Sequence, residues 1–218
     1  MSCKILLTSF QTWLPHQRSN SSDDLVQTIL GEIEQFNSLS ISLIGLRQLP
    51  VDVTQAARLA IAKIEELQPD GIICCGMAER RTKLTVESCA TSGYLSSQND
   101  LSLSYLSGSK MLSFKRFPYG SPEPWQIDEA LEANLLQTSV NLEDLLTGLA
   151  NTEISHDAGK FVCEGLYYQV LKYLHEYNLN TSCIFVHVPV LTVDNLPRIL
   201  ADFGIIIRRI SSFSRRKG

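Results

Sequence analysis

No window of this chain approaches the eighteen or so consecutive apolar residues of a membrane span. Met1-Ser2-Cys3-Lys4-Ile5-Leu6 runs into a short strand with no signal-peptide cleavage site, so the cytoplasm is the expected compartment. A basic excess is also missing. The 19 Lys and Arg against 23 Asp and Glu leave a net charge of −4, which argues against a general nucleic-acid binder. Metal-ligand spacing is absent: Cys74 and Cys75 are adjacent, and adjacent strand residues point to opposite faces, so no zinc site is expected. Nor do the six cysteines read as disulfides, since Cys3, Cys74, Cys75 and Cys183 lie inside strand-like apolar runs and Cys89 follows one. They are expected to be reduced thiols. The dinucleotide fingerprint fails too, because the first strand leads into Ser9-Phe10-Gln11-Thr12 with no glycine pair, and no internal repeat is present.

What remains is a 218-residue chain, 44% apolar and 19% charged, long enough for one domain (1–218) with a well-filled core. Apolar periodicity predicts strands at Lys4–Thr8, Ile41–Leu46, Gly71–Cys75, Leu84–Ala90 and Cys183–Val186. Helices are predicted from a cap at Ser21, Ser22 or Asp23 to about Phe36, then over 52–67, 127–136, 141–149, from Cys163 to near Tyr177, and over 195–211. Arg208, Arg209 and the 215–217 tail read as a solvated basic end that complements the last helix dipole. Strands alternating with helices indicate a three-layer α/β/α sandwich on a mostly parallel twisted sheet, with ligands at the carboxyl ends of the strands. The Ser-, Gly- and Pro-rich stretch 91–126 reads as a long loop, a lid or an irregular hairpin.

Two residues stand out for chemistry. Cys163 opens a helix whose buried stripe is Leu166, Tyr167, Val170, Leu171 and Leu174, and His187 closes the strand that follows. A helix and the next parallel strand place helix N-terminus and strand C-terminus at one sheet edge, so sulfur and imidazole can meet there. The helix dipole and the imidazole are expected to lower the thiol's pKa. Spacing alone leaves a second reading open, in which Cys163 is a small core residue and His187 is structural. In the first loop Phe10 and Trp13 either cap the core or line a pocket. His16, His156 and His175 read as surface residues.

Three segments resemble the pyroglutamyl peptidase type I family, cysteine peptidases that remove an N-terminal pyroglutamate. Asp157-Ala158-Gly159-Lys160-Phe161-Val162-Cys163 is similar to that family's nucleophile motif, and Phe185-Val186-His187-Val188-Pro189 to its histidine motif. The run from Gly76-Met77-Ala78-Glu79-Arg80-Arg81 to Glu87 is similar to its Gly-Gln-Ala-Gly-Gly-Arg segment and catalytic glutamate. The resemblance implies Cys163 as nucleophile, His187 as general base and acid, and Glu87 as the carboxylate that orients the imidazole. It further implies a lactam pocket formed by Phe10, Trp13, Met77, Phe161 and Val162 with Asn20 as a polar contact. It implies an N-terminally blocked peptide as substrate, a dimer or tetramer as assembly, and neither metal nor cofactor.

Departures from the family pattern bear on activity. The first loop lacks the family's glycines, and Trp13 stands where a Phe is usual. Met77 replaces a glutamine and Glu79-Arg80 replace two glycines. Glu164 replaces an asparagine and adds a negative charge expected to raise the thiol's pKa. The segment Thr91 to Asp100 lacks the family's oxyanion arginine, with Ser97 near its position. Losing such a donor costs about a hundredfold in rate, and backbone amides at the start of the Cys163 helix are expected to compensate in part. Two other functions stay open: an amidase acting on a different blocked or small amide, and a homologue that binds a ligand or partner without turnover.

Overall fold

The computed structural model describes residues 2–14, 17–92, 135–159 and 161–216, with residues 215 and 216 by their backbone alone. His16, Lys160, residues 93–126 of the expected loop and 127–134 of the expected helix lie outside the described residues. Chain order is β1 (Cys3–Phe10), α1 (Ser21–Gly31), α2 (Ile33–Asn37), β2 (Ile41–Leu49), α3 (Val53–Leu67) and β3 (Gly71–Met77). There follow β4 (Leu84–Glu87), β5 (Cys89–Thr91), β6 (Leu135–Gln137), α4 (Leu142–Leu146), β7 (Thr152–Ser155), α5 (Val162–Glu176), β8 (Ser182–Val188) and α6 (Leu196–Arg216).

The main sheet has the order β2-β1-β3-β8-β4-β7. Strands β2, β1, β3 and β8 are parallel to their neighbours, whereas β4 runs antiparallel to β8 and carries β7 parallel to itself. This is the expected α/β arrangement, with two of its six strands reversed. Side-chain alternation divides the core in two. Ile5, Leu7, Ile73, Cys75, Leu84, Val86, Ile184 and Val186 meet α1 and α6 on one face. Leu6, Phe10, Ile72, Cys74, Cys183 and Phe185 meet α3 and α5 on the other. Cys74 and Cys75 therefore do face opposite ways, and all six cysteines are free thiols.

Several elements differ from the sequence expectation. The first helix is capped by Asn20, whose Oδ1 accepts from the Ser22 N–H at 3.0 Å, not by Ser21, Ser22 or Asp23. It breaks at Gly31, a poor helix former, and restarts as α2. Predicted strand 84–90 divides at Ser88, whose carbonyl turns to the Thr138 N–H, so that β5 pairs with β6 in a separate two-stranded ribbon. Leu135 and Leu136 are thus strand and not helix. Strand β7 had no sequence signal of its own; it is an edge strand tied to α6 through Asp202, whose Oδ2 accepts from the Asn151 N–H and the Thr152 hydroxyl. Arg209 is not simply solvated, since its Nη1 donates to the Leu145 and Thr147 carbonyls at the end of α4.

At the carboxyl edge of β1, Asp23 fastens α1 to the sheet. It accepts from the Ser9 hydroxyl at 2.6 Å, from Arg47 through both guanidinium arms at 2.8 Å, and from Gln48 at 3.2 Å. Burial alone would raise its pKa, but the hydrogen bonds from Arg47, Ser9 and Gln48 outweigh it and hold the carboxyl below 3.8. A carboxyl lowered in the folded state adds stability above its unfolded value and loses it as pH falls through the folded one. Asp23→Asn is therefore expected to destabilise the protein at pH 7 and to flatten the decline in stability between about pH 5 and pH 2. Urea midpoints across that range measure both effects.

Candidate active site

Strand β8 presents Cys183, Phe185 and His187 to the α5 side, and β3 presents Cys74 and Gly76 to the same side. In the β3–β8 register Gly76 is the partner of His187. The helix start brings Cys163 Sγ down onto Gly76, where a Cβ would lie only 2.6 Å from the sulfur and 2.9 Å from Phe185 Cζ. Sulfur and imidazole therefore occupy adjoining positions on one face of the sheet. Only a residue without a side chain allows this close approach.

Reversed strand β4 supplies the third group. Thr85 pairs with His187 and Glu87 with Phe185, so Glu87 points to the α5 side beside the imidazole. Glu87 Oε1 lies 2.7 Å from His187 Nδ1, and both side chains are buried. A carboxylate can only accept, so Nδ1 carries the proton and Nε2 is the basic nitrogen. Arg81, in the turn between β3 and β4, donates to the same Oε1 at 2.8 Å and also to the Thr85 hydroxyl. Among the described residues, Glu87 Oε2 has no hydrogen-bond partner. The Tyr167 hydroxyl donates to the Glu87 carbonyl at 3.2 Å, fixing the strand end against α5.

The thiol's acidity runs against the sequence expectation. Cys163 is half-buried, and its pKa is pushed up to about 12, by burial first and then by the Glu87 charge. Its own backbone N–H and Arg81 act in the opposite direction without prevailing. Glu164 does not take the expected part, because its Oε1 is turned to Thr91, accepting from the N–H at 3.0 Å and the hydroxyl at 2.6 Å. The resting state at neutral pH is a thiol. No described side chain caps α5, and Phe161 enters it in extended backbone, so first-turn N–H groups face the sulfur's end of the helix.

The residues expected around a lactam ring are brought together only in part. Trp13 and Phe161 are 46% and 66% exposed and meet edge to face, ring centroids 6.2 Å apart. Phe10, at 2% exposure, is a core residue, because the strand extends to it and turns it toward α3 and α5. Val162 is likewise buried in that core. Asn20 is occupied in capping α1, and its Nδ2 donates to the Gln11 carbonyl at 3.1 Å. Met77 lies one residue beyond Gly76 and so faces the α1 side, where its sulfur accepts from the Ser21 N–H. An open cleft of about 700 Å³ runs from Trp13 between residues 11–14 and the start of α3 at Pro50, Val51, Asp52 and Gln55. His156 and His175 are exposed, as expected, with His156 Nδ1 2.7 Å from the Ser88 hydroxyl. Among the described residues, no group of three or more His, Cys, Asp or Glu is placed to hold a metal ion.

Gly76 and Arg81 were present in the matched motif but had no role assigned. A glycine closing an otherwise apolar buried strand was the available signal for the first; for the second there was only a cation in the turn before Glu87. Gly76→Ala is expected to lower stability by about 1–3 kcal/mol through overpacking against Cys163 and Phe185, measured by urea denaturation. Because the Cys163 pKa is raised, its labelling by iodoacetamide should increase about tenfold per unit between pH 7 and pH 10. Peptide mass mapping reads this, and a plateau near neutrality would contradict it.

Comparison with known proteins agrees with the motif resemblance over most of the chain. No family model matches. A protein named pyrrolidone-carboxylate peptidase from a Thermoanaerobacter species is 28% identical over 196 residues, covering 88% of this chain and 85% of the relative. One from Lactobacillus acidophilus is 28% identical over 195 residues, covering 86% and 84%. The fold is shared with the crystal structure of pyroglutamyl peptidase I from Bacillus amyloliquefaciens, at a TM-score of 0.70 and 21% identity over 97% of this chain and 96% of that one. Pyrrolidone carboxyl peptidase from Thermococcus litoralis gives 0.66 at 18% identity, covering 99% and 96%.

Proposed function

We propose that this chain is a cysteine peptidase, a hydrolase that removes an N-terminal pyroglutamyl residue, with Cys163 as nucleophile, His187 as base and acid, and Glu87 as orienting carboxylate. The observation that carries the reading is the buried 2.7 Å contact between His187 Nδ1 and Glu87 Oε1 beside the seat of Cys163 Sγ on Gly76. Similarity to relatives named for this activity supports it.

The geometry suits the chemistry. With Nδ1–H held by Glu87, His187 Nε2 takes the thiol proton as sulfur attacks the pyroglutamyl carbonyl, so no standing thiolate is needed. Glu87 stabilises the imidazolium that forms. First-turn amides of α5 receive the oxyanion in place of the arginine that the sequence lacks. The imidazolium then protonates the departing amine, leaving a thioester. Water deprotonated by His187 hydrolyses the thioester and regenerates the thiol.

Trp13 and Phe161, the two exposed rings beside the nucleophile, are proposed to hold the flat lactam. As no helix among the described residues is long and apolar enough to cross a membrane, and as the net charge is negative, the proposed setting is the cytoplasm, with blocked peptides as partners. The resemblance extends the proposal to one domain over 1–218 and to a homodimer or homotetramer.

A second reading, binding without turnover, is favoured by the raised thiol and the missing arginine. One experiment separates the two. The wild type is expected to release coumarin from a pyroglutamyl-coumarin amide, and Cys163→Ser to lose at least about a thousandfold of that rate. Saturable binding of the amide without release would support the second reading, and release by the mutant would remove Cys163 from the mechanism. A panel of aminoacyl-coumarin amides tests the alternative amidase.

A further inference from the structure

Arg81 bridges two parts of the site that are far apart in sequence. Its Nη1 reaches Glu87 Oε1 at 2.8 Å and the Thr85 hydroxyl, and its Nη2 donates to the Asp157 carbonyl at 2.9 Å. Glu87 Oε1 is also the oxygen that meets His187 Nδ1, so one carboxylate atom serves the imidazole and the guanidinium together. Asp157 lies six residues before Cys163 in the chain, ahead of the N-cap Phe161 of α5. A single planar fork thus joins the carboxylate behind the base to the approach of the nucleophile.

We propose that Arg81 is a positioning residue that fixes Glu87 behind His187 and holds Asp157, and through it the approach to Cys163, in place against that pair. Its effect on turnover rests on the peptidase reading above; its effect on the thiol does not. Lysine cannot substitute for the whole function, because a point donor lacks the fork that reaches acceptors on two separate segments.

The groups facing this cluster are Glu87 from β4, His187 from β8, Cys163 and Tyr167 from α5, and Cys74 from β3. Among the described residues, Arg81 is the permanent cation in this set. Its charge draws the Cys163 pKa down against burial and Glu87.

The test compares wild type, Arg81→Gln and Arg81→Lys. Each is labelled with iodoacetamide between pH 7 and pH 9, Cys163 is quantified by peptide mass mapping, and folding is checked by circular dichroism. With the cation gone, Arg81→Gln is expected to label about five- to tenfold more slowly at each pH, and Arg81→Lys within about twofold of wild type. Wild-type labelling in a folded Arg81→Gln overturns the proposal.

Arg81→Lys, the conservative change, tests the tie to Asp157 even if Arg81→Gln does not fold. Amides 158 and 159 should exchange at least about fivefold faster than in wild type, and kcat on the pyroglutamyl amide should fall about tenfold with KM within about twofold. Unchanged exchange overturns that part of the proposal. Should the wild type not turn over the amide at all, the peptidase reading fails, while labelling and exchange still decide the role of Arg81.

Discussion

The buried hydrogen bond between His187 and Glu87 organises the carboxyl edge of this sheet. A carboxylate with no solvent exposure is tolerated only if donors replace water, and here His187 and Arg81 do so at one oxygen. The reversed strand β4 meets that requirement. Run antiparallel to β8, it delivers Glu87 two residues past Thr85, back along β8 from His187, with the side chain on the α5 face. Phe185 then packs against both the imidazole and Tyr167, at centroid distances of 4.9 and 5.7 Å, closing the apolar wall around the pair.

The site's electrostatics follow from this enclosure. The burial that strengthens the imidazole–carboxylate contact also disfavours a charged sulfur, and Glu87 adds to the effect. Desolvation outweighs the backbone amide at the helix start and Arg81, which both act to lower the pKa of Cys163. A neutral thiol beside an oriented imidazole is suited to proton transfer during attack, when both charges appear together and stabilise one another. The sulfur itself rests against bare backbone at Gly76.

Much of the arrangement was legible in the residues. The apolar runs of β1, β3 and β8 and the stripe of α5 announced their own secondary structure, and the edge shared by Cys163 and His187 followed from parallel topology. What was not legible depended on partners distant in the chain. Strand β7 is held by Asp202 of α6, and the break at Ser88 is set by Thr138. Asn20 was implied as a polar contact by the resemblance alone; its use as a cap is visible only once Gln11 and Ser22 are in place. Phe10 stays open between core cap and pocket wall in the sequence, because a strand reaching only Thr8 would leave it in a loop. Arg81 touches Glu87 and Asp157 across a turn whose path no periodicity describes.

The alternation of β4 has a consequence for the turn that precedes it. Leu84 and Val86 fill the core on the α1 and α6 side, while Thr85 and Glu87 face α5. Inserting or deleting a single residue between Ala78 and Lys83, with the strand sliding to match, would bring valine opposite the imidazole and drive the carboxylate into hydrocarbon. Surface turns ordinarily tolerate changes in length; this one sets a parity, and the spacing from Gly76 to Glu87 is therefore as constrained as any residue within it.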